Sequence, residues 1–179
     1  MNTPPAKMLV SVGEKCVCVK IAGRANFTSS IDFKTLLSEL LQKHYTFFVL
    51  DLTDCVLMDS TFLGVLAGFG LKMHGPQPDR VERTLELFNP NVRIAELLEN
   101  LGVLHLFKVV NDHEIKLPEK TEPRDHSPAN ASHEEVTRTC LEAHNTLMDI
   151  HPENISRFKD VAAFLAQDLK KIKAGGAAK

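Results

Sequence analysis

Asp59, Ser60 and Thr61 stand side by side in the stretch LMDSTFLGVL (residues 57–66), directly before an apolar run. One acid and two hydroxyls allow two kinds of chemistry. An Asp or Ser ahead of a helix accepts hydrogen bonds from first-turn amides, which is capping and nothing more. A hydroxyl in the same place also suits a phosphoryl group, because the unpaired N–H groups of a first helical turn stabilise a phosphate. Two hydroxyls stand where a cap uses one. The preceding DLTD (residues 51–54) brings Asp51 and Asp54 to the same carboxyl edge of a sheet, where open α/β folds place ligand and modification sites.

The other chemically active residue types are dispersed. The eight histidines form no HExxH or paired zinc spacing, so no metal is expected, and His133, His144 and His151 read as surface residues of the C-terminal third. The four cysteines, at 16, 18, 55 and 140, have no CxxC spacing. They read as reduced, mostly buried apolar residues of a cytoplasmic protein. A nucleophilic Ser60 or Thr61 needs a base, and no histidine is near in sequence; His105 is a candidate only as a spatial neighbour. The Gly-x-Ser-x-Gly elbow is missing, so the expectation is a protein without catalysis of its own. Gly64, Gly68 and Gly70 fall mid-helix without the flanking Lys of a phosphate loop. They are expected to pack closely against the sheet, and no cofactor is expected.

Composition narrows the class of partner. With 21 basic and 23 acidic residues the formal net charge is -2, so nothing gathers nucleic acid or coats an anionic membrane. The longest uncharged apolar stretch, Ser60 to Leu71, falls far short of the roughly 20 residues of a membrane span. The opening MNTPPAKMLV carries no apolar signal core. Hydrophobic residues at 44% suffice for a core.

The elements that must position the hydroxyls follow from periodicity. MLVSVGEKCVCVKI (8–21) reads as two strands around a turn at Gly13-Glu14, with Gly23 breaking the run. Ser29 or Ser30 is expected to cap a helix whose stripe is Phe33, Leu36, Leu37, Leu40 and Leu41. FFVLDL (47–52) reads as a doubly buried strand, a second helix runs from the hydroxyl pair to about Met73, and TLELF (84–88) is the next strand. Asn89-Pro90 is read as N-cap and first helical residue, Gly102 as the C-cap, and LHLFKVV (104–110) as the last strand. Strands alternating with single helices predict an α/β fold with a mixed, largely parallel sheet.

This domain is expected to cover residues 1–110, followed by a charged, Pro-containing linker at 111–131 and a helical hairpin at 132–179. Val136, Cys140, Ala143, Leu147 and Ile150, then Ile155, Phe158, Ala162, Leu165, Leu169 and Ile172, make two heptad seams divided by His151-Pro152. Such seams must pack on each other, on a second copy or on a partner.

DLTDCVLMDSTFLGVLAGF (51–69) resembles the signature of STAS domains, the fold of bacterial anti-sigma factor antagonists. The Gly23 turn and LFNPNVRIAELLENLGVLHLF (87–107) extend the likeness over about residues 8–110. The resemblance implies a partner-switching regulator of transcription. An anti-sigma factor that is also a serine kinase, carrying its own ATP, phosphorylates the second hydroxyl of the pair and thereby releases it, and a phosphatase restores binding. The matching acceptor is Thr61, with Ser60 as runner-up, and the implied partner surface is Asn26, Asp59, Ser60, Thr61 and Phe62. Two positions depart from the pattern: Phe62 stands where the family usually has Gly, and Asn26 where many members have Asp. The alternative is a STAS scaffold that never cycles through phosphate, a subunit of a larger signalling or lipid-transport complex. The hairpin would then supply self-association or docking.

Overall fold

The computed structural model describes residues 6–76, 81–111 and 130–176, with the backbone alone at 124–125 and 176. Strands β1 (Lys7–Val12) and β2 (Cys16–Ala25) form an antiparallel pair. Helix α1 (Phe27–Gln42), β3 (Phe47–Asp51), β4 (Cys55–Met58), α2 (Ser60–His74), β5 (Thr84–Phe88), α3 (Val92–Asn100), a short 3-10 turn (Leu104–Leu106) and β6 (Lys108–Val110) follow. The two-residue β7 (Arg124–Asp125) and the helices α4 (His133–Ile150) and α5 (Glu153–Gly176) complete the order. The sheet runs β6-β5-β3-β2-β1-β7, parallel from β6 to β2, with β4 on β2 off this path. The mixed, largely parallel α/β architecture with a helical extension is as read from the sequence.

Strand alternation sorts the core. Val17, Val19, Ile21, Phe48, Leu50, Leu85 and Leu87 face the main cluster with Phe33, Leu37, Phe62 and Leu66 from the helices. Their neighbours Cys18, Val49 and Phe88 form a second, smaller cluster. Burial pushes the Cys18 thiol up to about 12, helped by the charge of Asp51, and the Cys55 thiol up to about 11.

Several local details differ from the sequence reading. Gly23 does not end β2: at φ +93° it lets the strand continue, with a register shift between Gly23 and Arg24. That bulge passes the strand from β3, paired along Cys16–Lys20, to β4, paired along Gly23–Ala25. The cap of α1 is Asn26 rather than Ser29 or Ser30, and Ser29 is the third helical residue that returns the bond in a capping box. Asn91 caps α3, because Asn89 takes a left-handed turn (φ +48°) that delays the helix. The last strand is shortened to Lys108–Val110 by the 3-10 turn, whose Leu106 carbonyl accepts from His74 Nε2 at 2.9 Å. Within the segment read as a linker, β7 pairs antiparallel with β1; the rest of it, 112–123 and 126–129, lies outside the described residues.

The hairpin folds back onto its own domain. Helix α4 packs on α2 and α1, and α5 packs on α4. Leu147 is fully buried, and Ile150 and Phe158 reach the main core. Asn154 Nδ2 donates to the carbonyls of Leu101 (2.9 Å) and Leu147 (2.8 Å), stitching the start of α5 to both layers. Gly64, expected to face the sheet, faces α4: a Cβ there would lie 2.7 Å from the carbonyl carbon and the Cβ of Ala143. Gly70 packs against Leu106 and Phe107 instead.

Candidate functional site

Two parallel strands end in register and set the geometry. Ala25 of β2 pairs with Met58 of β4, so the next residues, Asn26 and Asp59, emerge together as the caps of α1 and α2. Asn26 Oδ1 accepts from the Ser29 amide at 3.1 Å. Asp59 serves both helices: Oδ1 accepts from the Phe62 amide (2.8 Å) and Oδ2 from the Phe27 amide (2.7 Å). One carboxylate thus answers the positive ends of two helix dipoles. Asp54 is paired with Lys20 at 2.7 Å, and Asp51 accepts from the Thr53 amide.

Beyond the cap, the helical turn of about 100° per residue sends three consecutive side chains to three different places. Ser60 is half-buried, and its Oγ lies 3.0 Å from Nε2 of His144 on α4. The His144 Nδ1 is 2.7 Å from the Cys140 carbonyl oxygen, which only accepts. In the neutral ring Nδ1 therefore carries the proton, and Ser60 donates to Nε2. Thr61 is 5% exposed, and its Oγ1 donates to Cys140 Sγ at 3.7 Å. Burial raises the Cys140 thiol pKa, the Thr61 bond opposes the rise, and the Asp59 charge adds to it. Phe62 is fully buried and stacked on Phe33, with ring centroids 4.5 Å apart.

The five residues expected on one exposed edge are therefore split. Asn26, Asp59 and Ser60 are half-buried at the edge, beside the exposed Phe27. Thr61 lies beneath α4, and Phe62 is core rather than a ring beside the acceptor. Sequence reasoning missed Cys140 and His144. Cys140 reads from the sequence only as an apolar residue of the seam, and His144 as a surface histidine. The structure corrects the second, because His144 is buried between Ser60 and the Cys140 carbonyl, and the spacing of four puts both residues on one face of α4.

A serine, a histidine and a group orienting the histidine are the parts of a nucleophilic site. The groove between α1, α2 and α4, of about 280 Å³, is lined by Lys34, Gly64, Gly68, Lys72, Glu142 and others, and takes in neither Ser60 nor His144. Among the described residues no group of three His, Cys, Asp or Glu is placed to hold a metal ion, and no helix is long and apolar enough to cross a membrane.

Residues 7–115 match the STAS domain family, more than half of the chain, and the protein belongs to that family. Its solved relatives in fold include an anti-sigma factor antagonist from Mycobacterium paratuberculosis (14% identity, TM-score 0.50), over 58% of this chain and 84% of the other. The phosphorylated form of the Bacillus cell fate determinant SpoIIAA superposes over 61% of this chain and 93% of its own (16% identity, TM-score 0.48). The unphosphorylated anti-sigma factor antagonist SpoIIAA does so over 60% and 89% (17% identity, TM-score 0.48). No curated protein matches the chain significantly.

Proposed function

We propose that this protein is an anti-sigma factor antagonist that works by binding. Its partner is an anti-sigma factor with serine-kinase activity, its partner surface is the edge where α1 and α2 begin, and Thr61 is the phosphoacceptor with Ser60 as runner-up. The observation that carries this reading is the paired end of β2 and β4. It sets Asn26, Asp59 and the two hydroxyls at the N-termini of two helices at once. A phosphate there adds roughly -1.5 to -2 charges beside Asp59. A like-charge conflict of a few kcal/mol in a fitted interface changes affinity by orders of magnitude.

A second reading, the non-cycling scaffold, is favoured by the engagement of both hydroxyls by α4. Intact mass of the protein from its native cells, before and after phosphatase treatment, separates the two. A phosphate-sized addition that disappears in Thr61→Ala supports the switch. Persistence of the addition in that variant moves the acceptor to Ser60 or elsewhere, and its absence across growth conditions leaves the scaffold.

A further inference from the structure

We propose that the α4–α5 hairpin is a built-in cap over the hydroxyl pair, so that Ser60 and Thr61 are shut while it is docked and presented when it leaves. The inference rests on the reading of that edge as the partner surface, and it adds the regulation of that surface.

Three observations carry it. The first is fit at the hydroxyls themselves: Ser60 meets His144, Thr61 meets Cys140, and Gly64 leaves just the room that the Ala143 backbone occupies. All three contacts come from a single turn of α4, between Cys140 and His144. The second is exclusion. With Thr61 5% exposed and its Oγ1 3.7 Å from a sulfur, no phosphoryl group fits beneath the docked helix. The Asp59 carboxylate beside it would repel one as well. Modification and docking are therefore alternatives, and linkage makes the relation reciprocal: docking resists modification by the factor with which modification expels the hairpin.

The third observation is how few fully buried side chains the hairpin supplies to the core it covers. Among the described residues, Leu147 is the one fully buried member of the main core contributed by the extension; the others lie between Ala6 and Phe107. The side chains α4 presents to the site are small or polar, and the Lys34–Glu142 ion pair at its margin is about half exposed, a kind of contact that contributes little. Such a layer opens as a unit while the sheet beneath stays folded.

The full-length protein tests this through the thiol of Cys140, which the docked hairpin leaves partly exposed. Labelling with a maleimide is followed at peptide level by mass spectrometry and read as a change from the wild-type rate. Hydrogen exchange of β3 and β5 monitors the sheet in parallel. Gly64→Leu drives a side chain into Ala143 without touching either hydroxyl, and Thr61→Glu places a carboxylate where the phosphate would go. Both should speed labelling of Cys140 by about a hundredfold, the order by which overpacking one close contact shifts an equilibrium, with β3 and β5 still protected. Gly68→Cys with Thr146→Cys joins α2 to α4, since a Cβ at Gly68 lies 3.8 Å from Thr146 Cγ2. Once oxidised it should slow labelling below the wild-type rate, and dithiothreitol should restore that rate.

Unchanged labelling in Gly64→Leu and Thr61→Glu with the sheet intact overturns the cap. Where a variant loses sheet protection, the disulfide decides: equal labelling rates in its oxidised and reduced forms mean that the hairpin does not open, and overturn the cap equally. None of these rates depends on the kinase, so a chain that never carries phosphate in its native cells sinks the functional reading without touching this result.

Discussion

Ser60 and His144, 84 residues apart in the chain, meet at 3.0 Å between Oγ and Nε2. Their bond joins the first turn of α2 to the middle of α4, and it fixes which tautomer His144 carries, because Nδ1 is committed to the Cys140 carbonyl.

Ser60→Ala leaves Nε2 of a buried ring without a donor and should cost about 1–2 kcal/mol. His144→Ala also removes a ring packed 5.0 Å from Phe158 and should cost about 2–4 kcal/mol. Urea midpoints of the two single variants and the double variant give the coupling. A double variant whose loss equals the sum of the singles would show that the bond contributes nothing.

Asp59 accepts from amides of two helices, so its loss should exceed that of an ordinary cap. With about 1 kcal/mol for each cap, Asp59→Ala is expected to cost about 2 kcal/mol, and Asn91→Ala, which caps α3 alone at Ile94, about half that. Thermal unfolding of both variants checks the ratio. Equal shifts would mean that the Phe27 contact adds no stability.

Phe62→Gly removes a fully buried ring from its stack on Phe33. The expected loss is about 4–6 kcal/mol, from the deleted aromatic and the helical glycine. Calorimetry measures it directly. A loss below about 1 kcal/mol would place the ring outside the core.

The buried thiols predict a pH dependence. Cys18 is held up to about 12 and Cys55 to about 11, both above the usual 9.0 of the unfolded chain. Above pH 9 the unfolded state releases protons that the native state keeps, so the stability these thiols contribute is full below pH 9 and falls as pH rises toward 11 and 12. Cys18→Ala combined with Cys55→Ala should flatten that alkaline decline in urea titrations. An unchanged slope would assign it to other groups.

Much of this protein is determined by local pattern. The alternation of Val17, Val19 and Ile21 and the stripe of α1 fix strand and helix with little help from the rest of the chain, because burial of one face imposes its own period. The short continuous apolar run FFVL (47–50) marks a strand buried on both faces. The hydroxyl pair at the start of a helix is likewise visible in Asp59-Ser60-Thr61, since capping is a contact between neighbours. The seams of α4 and α5 announce that something must cover them.

What covers them is decided by tertiary structure alone. Gly64 has room for the Ala143 backbone because it lacks a Cβ, and that room matters only once α4 docks on α2. Phe62 turns inward because Phe33 waits on α1, and Thr61 turns under Cys140 because α4 lies there. A sequence records which faces are apolar and which residues can bond. Which face meets which follows from the closing of the whole chain, where contacts between residues 60 and 144 offset the entropy of bringing them together.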